Sequence, residues 1–163
     1  MVPVAAELRF EADAMLVKLA HYLRVLGCDA ACDAGASLAT RIERADAQGR
    51  VFLTRSHRIG PQQRPPARML VVESEDPVEQ LREVTSAFGI DPCTHLFSRC
   101  IRCNVALVEI ARDDAVAARV PQGVFATYRR FWTCPACRTV FWKGSHVSNT
   151  CRKLGLPDAA ETA

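Results

Sequence analysis

Two pairs of cysteines with the same spacing constrain the fold of this chain more than any other feature of its sequence. The pairs are Cys100 with Cys103 and Cys134 with Cys137, and 30 residues separate them. Each CxxC pair can fold as a tight knuckle that directs two thiolates at one ion, so two knuckles complete a tetrahedral site. Four sulfur ligands leave no open position, which predicts a structural ion. Zinc is the predicted ion, and iron in the same four-sulfur geometry remains the alternative.

The remaining cysteines and the absence of long apolar runs bear on where the chain resides. Four cysteines lack partners at metal-binding spacing, and we expect them to be small core or surface residues: Cys28, Cys32, Cys93 and Cys151. The chain shows neither a basic, apolar leader nor a run of about 18 apolar residues, so we expect no membrane association. Reducing compartments keep thiols free, so eight cysteines in such a chain favour metal ligands or buried thiols over disulfides. We therefore expect a cytoplasmic protein.

The excess of positive charge lies in the C-terminal part of the chain. Residues 1–92 carry 11 Lys and Arg against 13 Asp and Glu, whereas residues 93–163 carry 10 against 5. Six of these cations are interleaved with aromatic residues around the CxxC pairs: Arg99, Arg102, Arg129, Arg130, Arg138 and Lys143. Cations beside stacking surfaces are typical of RNA recognition. The alternative interpretation is that the aromatic residues form the core of the cysteine-rich segment and the cations only solvate its rim.

The first half of the chain alternates between strand and helix patterns. Strands are predicted at 7–10, 28–32, 51–54 and 69–72, and helices follow Asp13, Ser37 and Asp76 and stop near Gly27, Gly49 and Gly89. This order predicts an α/β fold with a mostly parallel sheet and helices on both faces, whose functional edge lies beyond the carboxyl ends of the strands. We expect this domain at 7–92, a small zinc ribbon at 93–150 and a disordered tail at 151–163.

Five segments, quoted in order along the chain, resemble the RNase domain family named for the Mut-seven C-terminal region. They are RFEADAMLVKLAHYLRVLGCD, GRVFLTR, DPVEQLREV, FSRCIRCN and FWTCPACRTVFWKGSH, and the resemblance covers roughly residues 7–148. It implies a PIN-like nuclease fold with a zinc ribbon at its C-terminal end. It also implies cleavage of RNA with Mg²⁺ or Mn²⁺, which a cluster of acidic side chains at strand ends would hold.

The resemblance carries two acidic residues over to this chain and fails at other positions of the acidic cluster. Asp13 matches the acid after the first strand, and Asp33 matches an acid after the second, so these two are the candidate catalytic residues. Gly35 and Leu38 stand where the family usually has acids, and Ser56 stands where an aspartate typically follows GRVFLTR. An ion pair at about 4 Å is worth about 4 kcal/mol at an effective dielectric near 20. Each missing carboxylate should therefore weaken divalent-metal binding by orders of magnitude.

Several of these residues have alternative interpretations. Asp13 directly precedes the first long helix and could act only as its N-terminal cap. Glu11, Asp29 and His57 are near enough in sequence to substitute for the missing acids, although the geometry of metal ligands is exacting. His146, in the segment WKGSH, could be a hydrogen-bonded structural group or a catalyst.

The sequence leaves three hypotheses about function. The first is a metal-dependent ribonuclease with an incomplete acidic site, which would need Mg²⁺ or Mn²⁺ only if it is active. The second is an inactive module that binds RNA or a ribonucleoprotein through the basic ribbon, and the third is a protein–protein adaptor in which the ribbon is a scaffold. The expected partner is RNA or a ribonucleoprotein, and no small-molecule cofactor is expected.

Overall fold

A four-stranded parallel sheet forms the first half of the protein in this computed structural model, which describes residues 8–61 and 63–159. Its strands are β1 (Arg9–Ala12), β2 (Asp29–Ala31), β3 (Val51–Thr54) and β4 (Met69–Val71), in the spatial order β2-β1-β3-β4. The first strand was predicted at 7–10, and residue 7 lies outside the described residues. The observed strand extends to Ala12 because its register with β3 pairs Ala12 with Leu53.

Three helices connect and follow these strands. They are α1 (Val17–Val25), which a short 3₁₀ turn at Ala14–Leu16 precedes, α2 (Leu38–Ala47) and α3 (Pro77–Phe88). The Ser37 hydroxyl accepts from the backbone N–H of Thr40, and the Asp76 carboxylate caps α3 in the same way, as the sequence predicted. Gly27 follows α1 at a φ of 84°, a conformation that residues with a Cβ rarely adopt. Local capping signals therefore fix the ends of these helices.

The helices cover both faces of the sheet. On one face, α1 and α3 pack against Phe10 and Leu53, and on the other face α2 packs Ile42 against Phe52. Neighbouring residues of a strand point to opposite faces, which explains why both faces of β3 are fully buried. This arrangement confirms the predicted α/β class with helices on both faces.

The second half of the protein contains a small antiparallel sheet. Its strands are β5 (Val108–Ile110), β6 (Phe131–Thr133) and β7 (Val140–Phe141), with two short helices, α4 (Asp114–Ala117) and α5 (Gln122–Thr127), between β5 and β6. Its buried apolar residues are Val116, Val120, Phe131 and Val140. A core this small contributes little stability, so the segment depends on other links.

The first cysteine knuckle is bonded directly to the parallel sheet. The buried guanidinium of Arg24, in α1, donates to the backbone oxygen of Ala30 at 2.8 Å and to that of Ile101 at 2.7 Å. Asn104, directly after the knuckle, donates to the Asp29 carboxylate at 2.7 Å and accepts from the backbone N–H of Ala30 at 3.0 Å. These bonds join β2 and α1 to the knuckle over more than 70 residues of sequence.

The last helix corrects the predicted disordered tail. Helix α6 (Ser145–Leu154) includes residues 151–154, which were expected to be unstructured. Cys151 and Leu154 are buried, and Leu154 belongs to the core of the parallel sheet, so apolar burial keeps this turn ordered. Residues 155–159 form neither helix nor strand, and the rest of the predicted tail, 160–163, lies outside the described residues. Within the described part of the chain, every helix is too short or too polar to cross a membrane.

Candidate functional site

The sulfur atoms of the two CxxC pairs converge on one point. The ligand atoms of Cys100, Cys103, Cys134 and Cys137 all lie within 4.8 Å of one another, and 4.0 Å separates the sulfurs of Cys100 and Cys137. A tetrahedral ion with bonds of about 2.3 Å to sulfur has sulfur–sulfur edges of about 3.8 Å, whereas a disulfide brings sulfurs to about 2.05 Å. The cluster therefore fits four ligands around one ion, and it could hold a structural zinc ion.

The two knuckles have the same backbone design. In each, the residue directly after the second cysteine adopts a left-handed conformation: Asn104 at a φ of 58° and Arg138 at 59°. Asn104 N–H donates to the carbonyl of Cys100 at 2.9 Å, and Arg138 N–H donates to the carbonyl of Cys134 at 2.8 Å. Each turn thereby directs both thiols of its pair to the same side, as the spacing predicted.

The thiols of the cluster affect one another's ionisation. A hydrogen bond with Cys137 raises the pKa of Cys103 to about 12, and the hydroxyl and amide of Thr139 lower the pKa of Cys137 to about 6. Four thiolates this close repel one another, and a bound dication offsets that repulsion. The donor set therefore fits a doubly charged ion that is bound by sulfur and has no position left for substrate.

Asp13 lies at the carboxyl end of β1, as predicted, and its carboxylate is fully engaged by neighbouring groups. One oxygen accepts from the Thr54 hydroxyl at 2.9 Å. The other accepts from the backbone N–H of Ala14 at 2.7 Å and from the Arg41 guanidinium at 3.0 Å. Asp13 therefore caps the first helical turn, which was one of its alternative interpretations. It also lies between β1 and β3, where the connections leave the sheet in opposite directions, the usual position of ligand sites in such sheets.

A second arginine of α2 neutralises the other acids at this edge. Arg44 makes a bidentate pair with Glu11, whose side chain is fully buried. The same guanidinium lies 3.6 Å from the carboxylate of Asp33, whose side chain is 52% exposed. The other oxygen of Asp33 accepts from the backbone N–H of Gly35 at 3.1 Å. The candidate residues Asp13 and Asp33 thus lie at one edge of the sheet, but separate arginines pair with them.

Arg41 is part of the framework as well as a partner of Asp13. Its side chain is 7% exposed, and it also donates to the backbone oxygens of Asp33 and Ala36 in the loop after β2. A metal ion bound to Asp13 would therefore have to displace a buried guanidinium that also holds this loop. Within residues 8–61 and 63–159, the four cysteines are the only group of three or more His, Cys, Asp or Glu close enough to share an ion. The acids at the sheet edge do not fit a divalent metal site.

The positions where acids are missing have structural roles. The Ser56 hydroxyl donates to the backbone oxygen of Arg58 at 2.8 Å, and Leu38 packs with Ile42 and Phe52 under α2. Gly35 lies in the exposed turn that Asp33 closes. These contacts place a serine hydroxyl, a leucine and a glycine at the edge, and none of these side chains can carry negative charge.

Three residues could have substituted for the missing acids, and each has another partner: Glu11, Asp29 and His57. Glu11 binds Arg44, and His57 lies 3.1 Å from a carboxylate oxygen of Glu73. Burial alone would raise the pKa of Asp29, but hydrogen bonds from Arg50 and Asn104 lower it below its usual value. Each of these residues therefore has a partner that does not belong to a shared metal site.

The six predicted RNA-binding cations have different environments. Arg99 is half-buried and donates to the backbone oxygens of Gly27 and Asn104, so it holds the first knuckle against α1. Arg102, Arg129 and Arg138 are exposed on the cysteine-rich segment.

The other two predicted cations lie near the ring of one tryptophan. The Arg130 guanidinium lies 5.1 Å from the centre of the Trp132 ring, and the Lys143 ammonium lies 5.4 Å from it. Arg130 also makes a bidentate pair with Glu109 at 2.8 and 2.9 Å. Trp132 is half-buried, whereas Phe131 next to it is the buried centre of the ribbon core. The core interpretation therefore holds for Phe131, whereas stacking of RNA on Trp132 stays a prediction.

Sequence reasoning did not identify Arg41, Arg44 or Thr54 as part of the edge. The two arginines are three residues apart in α2, a spacing that places both on one helical face. This spacing was the available signal, because α2 follows the loop that carries Asp33. No comparable signal marked Thr54.

Two features define the class of this protein: the parallel α/β sheet and the cysteine ribbon that could hold a structural zinc ion. The sequence model of the Mut7-C RNAse domain matches residues 8–154 of the 163-residue chain. The chain therefore belongs to the Mut7-C RNase domain family, as the quoted segments predicted. No curated protein and no solved structure matches the chain.

We predict that the purified chain contains one zinc ion and that Cys100→Ser removes it. Loss of one thiolate opens the tetrahedral site, and metal binding supplies much of the folding free energy of so small a ribbon. Elemental analysis measures the zinc, and Cys93→Ser, which changes an exposed cysteine outside the cluster, should keep it. A folded chain without metal would contradict the site, and iron in place of zinc would contradict the identity of the ion.

We also predict that Asp13→Asn lowers the free energy of unfolding by about 3 kcal/mol in buffer without Mg²⁺ or Mn²⁺. The change leaves the buried Arg41 guanidinium without its anionic partner, and breaking a buried pair costs about 3–5 kcal/mol. Chemical denaturation measures the difference. Asp33→Asn is the control, because its exposed carboxylate should contribute less than about 1 kcal/mol. Equal stability of Asp13→Asn and the unchanged chain would show that the pair is not structural.

Proposed function

We propose that this chain is an RNA-binding protein of the Mut7-C RNase family that binds RNA without a divalent-metal site at its sheet edge. The observation that carries the proposal is the buried ion pair between Asp13 and Arg41. Family membership supports RNA as the partner, and the ion pair supports binding rather than hydrolysis.

The chemistry of RNA hydrolysis at acidic sites explains why this ion pair supports binding rather than hydrolysis. Such sites use divalent cations to activate water and to stabilise charge on the scissile phosphate. Here the positive charge next to Asp13 comes from a guanidinium, which coordinates no water and offers only hydrogen-bond donors. The guanidinium of Arg44 occupies the equivalent place beside Glu11 and Asp33. These groups can neutralise carboxylates, but they cannot activate water.

The cysteine-rich segment provides the surface that we assign to RNA. Arg102 and Arg129 are exposed on it, and the cationic groups of Arg130 and Lys143 lie near the ring of Trp132. Cations attract the phosphate backbone, and aromatic faces stack with unpaired bases. Residues 93–163 also carry the positive excess of the chain. This combination suits single-stranded or looped RNA.

The second candidate function is metal-dependent cleavage of RNA. The position of Asp13 at the carboxyl end of β1, next to β3, favours it, because ligands of parallel sheets bind at that point. It requires release of Arg41 from Asp13 when RNA binds. The two candidates differ in one observable, which is the dependence of RNA cleavage on Asp13.

We predict that the zinc-loaded chain binds labelled single-stranded RNA with an affinity that falls as salt rises. Each lost phosphate contact should reduce the slope of log K against log salt by about 0.7, so Arg102→Ala with Arg129→Ala should reduce it by about 1.4. Fluorescence polarisation measures the slope. The control replaces two exposed arginines of the parallel-sheet domain, Arg68 and Arg82, and should leave the slope unchanged.

Two results would contradict this proposal. Absence of binding at about 50 mM salt would remove RNA as the partner and leave the protein–protein adaptor. RNA cleavage that requires Mn²⁺ or Mg²⁺ and disappears in Asp13→Asn would replace binding alone by the second candidate. Cleavage that persists in Asp13→Asn would come from a contaminating nuclease or another site.

A further inference from the structure

An apolar pocket lies where the ribbon meets the parallel-sheet domain. Its volume is about 140 Å³, and residues of both halves of the protein line it, among them Val25, Phe97, Ile101, Trp132, Trp142 and Thr150. The pocket is separate from the cysteine cluster and from the carboxyl edge of the sheet. Neither the zinc site nor the acidic edge explains it.

The size of the pocket restricts its ligand to one planar ring system. Cavities of about 150 Å³ hold a single aromatic ring, whereas pockets for drug-sized ligands measure about 300–1,000 Å³. A whole dinucleotide or a folded peptide segment is therefore too large. One base of a nucleic acid has a suitable size and shape.

The wall that Trp142 forms is held in place by its neighbours. A Cβ at Gly144 would lie 2.8 Å from the indole nitrogen of Trp142 and 2.9 Å from the hydroxyl oxygen of Tyr128, so a larger residue there would displace one of these side chains. The His146 ring stands edge-on to Trp142, with 5.6 Å between ring centres. The indole is therefore positioned before any ligand binds, which reduces the entropy cost of binding.

Phe97 provides a second sign of a constrained pocket. It has a φ of 57°, a left-handed conformation that is an outlier for a bulky residue and costs about 1–3 kcal/mol. Its backbone N–H donates to the carbonyl of Val25 at 2.8 Å, and this bond holds the strained residue against α1. Strain of this kind is concentrated at ligand-binding sites.

The charges around the pocket favour a ligand that carries a phosphate. Lys143 lines the pocket, and none of the described residues that line it is acidic. The ammonium of Lys143 and the guanidinium of Arg130 both lie within 5.4 Å of the centre of the Trp132 ring. An anionic group attached to a stacked ring would meet these cations at the rim.

We propose that this pocket binds one unpaired nucleobase of RNA, stacked against a tryptophan, with the adjoining phosphate beside Lys143. The inference rests on the proposed function and specifies the part of the RNA that the protein recognises. It makes the interface between ribbon and sheet domain a base-binding site, so RNA with exposed bases is the preferred ligand over duplex RNA. An aromatic side chain of a partner protein is the competing occupant.

Tryptophan fluorescence reports on this pocket alone, because the chain has two tryptophans and both line it. We would titrate the zinc-loaded chain with a short uridine oligomer and with an abasic oligomer of the same length and charge. The uridine oligomer should quench the fluorescence. The abasic oligomer should bind about 5- to 100-fold more weakly, without quenching, because it lacks the stacking contribution of the base.

A pair of matched variants tests the location. Thr150→Phe fills the pocket, and it should lower the affinity for the uridine oligomer towards that of the abasic oligomer. Thr85→Phe is the control, because Thr85 is also a half-buried helical threonine whose hydroxyl donates to a backbone oxygen of its own helix, in α3. It should leave affinity and quenching unchanged. Zinc content and circular dichroism establish that both variants are folded.

The outcomes separate this inference from the proposed function. Equal affinity for the two oligomers without a fluorescence change would overturn the base pocket and leave RNA binding in place. The same holds if Thr150→Phe folds and binds the uridine oligomer as tightly as Thr85→Phe does. Absence of binding to either oligomer would overturn both proposals. If the variant at 150 does not fold, the comparison of the two oligomers on the unchanged chain decides the matter.

Discussion

Four cysteine sulfurs converge on one point in the second half of this protein, where they could bind one structural ion. The ribbon has a core of only four buried apolar side chains, which is too small to fold by itself. The same knuckle that supplies Cys100 and Cys103 presents its carbonyls to Arg24, and Asn104 binds β2 directly after it. The first cysteine knuckle is therefore also part of the interface between the two halves. The aromatic pocket between the two halves exists only while this structure is intact.

At the carboxyl edge of the sheet, arginines pair with the acidic residues, whereas a metal-dependent nuclease uses such residues to bind divalent cations. Three acids lie there, and α2 directs two arginines at them from three residues apart. The buried Asp13–Arg41 pair also binds the loop after β2, so a change at this pair would affect the framework as well as the site. Exposed arginines lie on both halves of the protein, but Arg130 and Lys143, which lie near the ring of Trp132, are on the ribbon. This difference supports the proposal that RNA binds to the ribbon.

In the parallel-sheet half, local signals in the sequence were sufficient for the strands and helices, but not for the contacts between them. Caps at Ser37 and Asp76 predicted helix ends, and the CxxC spacing predicted the metal site, because both depend on residues a few positions apart. The pairing of Asp13 with Arg41 spans 28 residues and that of Arg24 with Ile101 spans 77, so only the tertiary fold reveals them. The tail prediction failed at 151–154 for the same reason, since a distant core buries Leu154.

Binding of Mn²⁺ tests directly whether arginines occupy the place of a divalent cation at the sheet edge. Electron paramagnetic resonance of Mn²⁺, titrated with the zinc-loaded chain, distinguishes free from bound ion at each protein concentration. We predict no bound Mn²⁺ that depends on Asp13, with or without a single-stranded RNA oligomer present. Stoichiometric Mn²⁺ binding to the unchanged chain that is lost in Asp13→Asn would contradict this account.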